Sequence, residues 1–161
     1  MGNGQSLRRR SLKGRRAVGD SEKIRELAGQ VMTLAHDHIL MHLRFFDRAL
    51  ARLECAERPG MGCMASDGSV CFYDPVFVLK HYRDEPKSIV RMYLHVLLHC
   101  IFSHEFQYQK LDREKWDLAA DIAVENVILD MGLPGAALET DEEADRKRKS
   151  LREDVGPLTA E

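Results

Sequence analysis

The run over residues 89–106, IVRMYLHVLLHCIFSHEF, is apolar almost all the way round, yet it carries His95 and His99 four residues apart. At about 3.6 residues per turn, that spacing stacks both imidazoles on one helix face, where their nitrogens can converge on one point. Leu94, Val96, Leu97, Leu98, Ile101 and Phe102 leave little face for water, so the helix is expected to be buried. A buried imidazole needs a partner.

The next helical segment, WDLAADIAVENVILDMG over residues 116–132, offers partners. Asp121 and Glu125 lie four apart on one face, amid Leu118, Ile122, Val124, Ile128 and Leu129. Two acids facing two buried histidines form a candidate metal constellation, against the simpler reading of a metal-free hydrogen-bond network. Cys100 follows His99 but points about 100° away, and reads as a small apolar residue of the core.

With 161 residues and 44% hydrophobic content, the chain can bury one core, and one domain is expected over residues 21–135. Residues 1–20 read as a disordered basic tail, with Arg8, Arg9, Arg10, Lys13, Arg15 and Arg16 and no acid before Asp20. Residues 136–161 mix both charge signs densely and read as disordered or as a solvated helix. A basic tail binds phosphate without sequence preference, so no specific nucleic-acid partner is expected. Met1-Gly2-Asn3-Gly4-Gln5-Ser6 fits the myristoylation pattern, but a flexible tail is the reading taken.

Cys55, Cys63, Cys71 and Cys100 form no C-x-x-C pair and read as reduced thiols of a cytoplasmic protein. No charge-free apolar run is long enough for a membrane span, and no hydrophobic segment follows the basic start as in a secretory signal.

Asp20 or Ser21 can cap a helix with apolar positions at Ile24, Leu27, Ala28, Val31 and Leu34, extending or re-entering through Ile39, Leu43, Phe46, Leu50 and Leu53. His36, His38 and His42 within it read as half-exposed histidines rather than a second metal face. Around Asp67-Gly68 the period changes to that of a β-hairpin. Asp74-Pro75 then opens a short helix, and Glu85-Pro86 suits the first turn of the histidine helix. The expected fold class is α+β, mainly α, with a buried histidine helix, a packed second helix and a small hairpin whose edge an extended peptide could join.

RFFDRAL, GMGCMASDGSVCFYDPVF, YLHVLLHCIFSH and WDLAADIAVENVI together resemble the N-terminal domain of metallopeptidase-type proteins that carry a von Willebrand A-like domain downstream. The resemblance covers about residues 45–133. It implies a zincin-like fold, a zinc cofactor, a peptide or protein substrate, and partners of the AAA+ ATPase type. On the resemblance, the zincin H-E-x-x-H falls on His95-Val96-Leu97-Leu98-His99, where Val96 replaces the glutamate that activates water.

Asp121, His104 and Glu125 are the candidates for the third ligand. His104, nine residues past His95, lies about 180° round an ideal helix and reaches the same metal only if the chain bends after His99. Asp121 needs no such distortion and is preferred. Glu125 can be a ligand, an acceptor for a histidine N–H, or a replacement catalytic base. Two functions follow: a zinc-dependent peptidase with His95, His99 and Asp121 on the metal and Glu125 as base, or a non-catalytic protein-binding module on the same fold.

Overall fold

A computed structural model of the protein describes residues 4–104, 112–134 and 136, with side chains from residue 19 onward. Its elements run α1 (Gly4–His42), a 3-10 turn (Arg44–Phe46), α2 (Asp47–Leu50), β1 (Glu54–Glu57), β2 (Met64–Ser66), β3 (Val70–Tyr73), α3 (Pro75–Asp84), α4 (Pro86–Ile101) and α5 (Arg113–Met131). The fold is α+β with helices dominant.

Helix α1 takes in the basic segment that composition assigns to a tail. Its inner face, Ala28, Val31, Met32, Ala35 and Ile39, is buried and packs on α3 and α4, whereas Leu27 and Leu34, expected in the same apolar stripe, are exposed. The helix does not continue through the later apolar positions. It stops at His42, and Leu43, Phe46, Leu50 and Leu53 are buried through the 3-10 turn and α2 instead. The charged segment after Ala136 lies outside the described residues.

The expected hairpin is β2–β3, paired antiparallel with Ala65 opposite Phe72. Strand β1, which the sequence reading missed, adds parallel to β3, giving the order β1-β3-β2. Asp67 accepts at Oδ1 from the backbone N–H of Ser69 (3.0 Å) and Val70 (2.9 Å), and Gly68 takes the φ of 94° that the turn requires. Asp74 ties the sheet to the helices. It caps α3 by accepting from Val76 N–H at 2.9 Å, and its other oxygen accepts from Gly60 and Gly62 at 3.0 and 2.9 Å.

This tether fixes an open edge on β2. The carbonyl of Cys63 accepts from Asp74 N–H (3.2 Å) and Asp67 N–H donates to the Val70 carbonyl (3.4 Å). Antiparallel alternation therefore turns the backbone groups of Met64 and Ser66 away from β3, and among the described residues no strand pairs with them.

Helix α4 sits at the centre, against α1, α3, α5 and β2. Pro86 occupies its first turn, and Ile89, Tyr93, Leu94, Leu97 and Leu98 are buried to within 1% exposure. Each such side chain contributes roughly 1.5–3 kcal/mol through burial, which anchors the histidine face. Helix α5 is capped by Asp112, which accepts from Glu114 and Lys115 N–H at 3.1 and 3.3 Å, and ends at Gly132 in the left-handed conformation.

Candidate metal centre

Helices α4 and α5 meet so that His95 faces Glu125, and His99 faces Asp121, four residues earlier on α5. Matching four-residue steps on both helices put two rows of side chains opposite one another. His95 Nε2 and His99 Nε2 are 2.9 Å apart, and Asp121 Oδ1 lies 3.5 Å from the first and 3.1 Å from the second. Among the described residues, this is the group whose donor atoms gather within 4.8 Å of one another.

The triangle fits a metal. Zinc bonds of about 2.0–2.1 Å in tetrahedral geometry set neighbouring ligand atoms about 3.3 Å apart, and the three edges bracket that value. Two nitrogens and one carboxylate oxygen suit a divalent transition-metal ion and leave coordination open for a further ligand.

Protonation agrees with that use. Burial, opposed by the Asp121 charge, holds the His95 imidazole below its ordinary value. His99 is lowered by burial and then by His95, and His104 by burial and then by His99. All three therefore favour the neutral form, which is the form that binds a cation.

His95 and His99 each have a partner on the far nitrogen. Glu125 accepts at Oε1 from His95 Nδ1–H at 2.8 Å, leaving Nε2 for the centre, and its Oε2 pairs with the Arg91 guanidinium. Of the three roles open to Glu125, this geometry is that of an acceptor orienting a histidine. Arg91 also donates to the Ala136 carbonyl at 3.0 Å, pinning the chain beyond α5 against α4. The Arg91–Glu125 pair is not among the sequence expectations, and Asp117 faces Arg113 at 3.7 Å, one turn away on its own helix. The available signal was position, since Arg91 is one turn before His95 and Glu125 one turn after Asp121.

His104 is not on the far side of a continuous helix. α4 ends at Ile101, and Ser103 adopts a φ of 56°, a left-handed conformation that costs a non-glycine residue about 1–2 kcal/mol. The bend buries His104 and brings its Nδ1 to 3.2 Å from His99 Nδ1, while its carbonyl accepts from Trp116 Nε1–H at 2.9 Å. His104 thus backs His99 rather than joining the triangle. Strain of this kind concentrates at functional sites.

Two cavities of about 340 Å³ each flank the triangle. One is lined by Ser66, His99, His104, Asp117 and Asp121. The other lies on the His95 side and is mainly apolar, with Met64, Phe77, Met92 and Val96 beside Glu125. Met64 and Ser66, whose backbone faces the open edge, thus line one cavity each. Val96 is buried to 8% exposure and brings no proton-transferring group to the position a water-activating glutamate would hold.

No curated protein and no solved structure matches the sequence. Residues 28–155 match the family model described as "Putative metallopeptidase domain". That match spans well over half of the 161 residues, and the chain belongs to this metallopeptidase-domain family.

Proposed function

We propose that the chain is a zinc-dependent site of the metallopeptidase type that receives an extended peptide along the free edge of β2. The convergence of His95, His99 and Asp121 at ligand spacing carries the reading. Zinc bound there would act as a Lewis acid on a carbonyl oxygen and lower the pKa of water.

The chain's own residues divide the remaining work. Glu125 keeps the His95 proton on Nδ1, and Arg91 holds the Glu125 carboxyl group in place. The outward N–H and C=O groups of Met64 and Ser66 give an extended peptide a ladder to join between the two cavities. Hydrolysis by this chain is slow on the same reading, since Val96 cannot take a proton and the Glu125 carboxylate is held by His95 and Arg91.

That last observation favours a second reading, a peptide-binding module that retains the metal and has given up turnover. Both fit a cytoplasmic protein; no helix among the described residues is long and apolar enough to cross a membrane.

The test pairs metal analysis with a protease assay on an unfolded protein substrate. Wild type is expected to carry about one zinc per chain, with turnover near background. Val96→Glu places a carboxylate in the cavity beside His95 and is expected to raise turnover by about 10²–10⁴-fold, the usual worth of a positioned general base. A metal-loaded Val96→Glu protein with no turnover selects the binding module. A folded wild type that takes up no zinc refutes both.

A further inference from the structure

Away from the metal ligands, three residues stand in register across the sheet: Cys55 on β1, Cys71 on β3 and Ser66 on β2. Helix α4 covers the row with Tyr93, whose Oη lies 3.7 Å from Cys55 Sγ, and Cys100, whose Sγ lies 3.2 Å from Ser66 Oγ. Cys71 is fully buried and Cys55 is exposed, so the pair spans the surface and the core. Burial as a small apolar residue accounts for Cys71. It does not account for an exposed thiol set directly beside it.

A thiolate metal site is a poor fit, since among the described residues Cys55, Cys71 and Cys100 do not bring three donor atoms within 4.8 Å of one another. A two-thiol reaction fits better. Directly opposed residues on adjacent strands sit about 4.8 Å apart, inside the Cα range of about 4.4–6.8 Å that a disulfide accepts.

We infer that Cys55 and Cys71 are a peroxide-reactive thiol pair, with Cys55 as the attacking sulfur and Cys71 as the resolving one. Cys55 thiolate attacks one oxygen of a hydroperoxide, the O–O bond breaks, and the leaving oxygen departs with a proton as water or alcohol. Cys71 sulfur then displaces hydroxide from the resulting sulfenic acid, and that hydroxide takes the Cys71 proton to leave as water. Two thiols are oxidised by two electrons and one peroxide is reduced.

Exposure assigns the roles, since a peroxide in solvent meets Cys55 and not the buried Cys71, and the direction of the thiol shifts agrees. Cys71 first, then the Tyr93 hydroxyl, lower the Cys55 thiol to about 7, while the bond to Cys55 and then burial push Cys71 up. The strand pairing restrains the crosslink, which favours ready reduction. The crosslink would fasten β1 to β3, the strand that also carries the β2 edge at the metal.

The test treats the reduced 161-residue protein with one equivalent of hydrogen peroxide, followed by intact mass, thiol counting and fragment mapping. Expected are a loss of about 2 Da, two of the four thiols consumed, a bond mapped to Cys55–Cys71, and full reversal by dithiothreitol. Cys55→Ser should slow thiol loss at least about tenfold, whereas Cys63→Ser, which removes the other exposed thiol, should react like wild type. Cys71→Ser, or Cys71→Ala if the buried hydroxyl unfolds the sheet, should stop at a sulfenic acid on Cys55 trapped by dimedone. A disulfide through Cys63 or Cys100 overturns the inference. So does an unchanged rate in Cys55→Ser, or oxidation of wild type without any crosslink.

Discussion

The chain contains two His-x-x-x-His pairs, His38-Ile-Leu-Met-His42 on α1 and His95-Val-Leu-Leu-His99 on α4, and among the described residues only the second gathers a group that could hold a metal. The first pair stacks ring on ring at 4.4 Å, and its nitrogens go to backbone: His38 Nε2–H to the Pro134 carbonyl at 2.5 Å and His42 Nδ1–H to the His38 carbonyl at 2.9 Å. The second pair faces α5, where Asp121 adds negative charge at the meeting point and Glu125 fixes a tautomer. Equal spacing brings the rings of each pair to similar separations, 4.4 and 4.6 Å, but among the described residues the acid on a facing helix adds a third donor atom beside the second pair alone.

The largest expected effect breaks that contrast outright. His99→Ala or Asp121→Ala should abolish stoichiometric zinc in metal analysis by mass spectrometry, while His38→Ala and His42→Ala retain it. Metal loss in the α1 variants with retention in the α4 and α5 variants would reverse the assignment.

A smaller effect tests the acceptor role. Glu125→Gln keeps the shape but weakens the hold on His95 N–H, and should lower zinc affinity by about 10–100-fold in competition with a chromophoric chelator. Loss as complete as in Asp121→Ala would instead make Glu125 a ligand.

The smallest effect concerns pH in the metal-free protein. Burial lowers His95, His99 and His104 in the fold, so near pH 6.5, the ordinary histidine value, the unfolded chain binds protons that the folded chain refuses. Their contribution is complete above that pH and declines as pH falls below it. Denaturant midpoints with chelator present should drop from pH 7.5 to 5.5, and the drop should shrink in His99→Ala. A flat profile would contradict the burial of these rings.

Periodicity made much of this legible. The buried helix, the facing acids and the Asp67-Gly68 hairpin follow from spacing and turn chemistry, and the Pro86 and Asp74-Pro75 starts follow from what proline permits. β1 was not legible, since Glu54-Cys-Ala-Glu57 has neither alternation nor β-branched residues and is held as a strand by pairing with β3. The bend at Ser103 was equally silent, because serine carries no preference for the left-handed conformation and the turn is held by its surroundings, including the bond from Trp116 to His104.

The sequence by itself determined which side chains share a helix face, because that depends only on the repeat of one helix. Tertiary structure decided which faces meet. It matched His95 and His99 to Asp121 and Glu125 rather than leaving them like His38 and His42, and it joined Arg91 to Glu125 and folded His104 back onto His99. These are contacts between residues distant in sequence, set by how helices and strands bury their apolar surfaces together, and no local repeat encodes them.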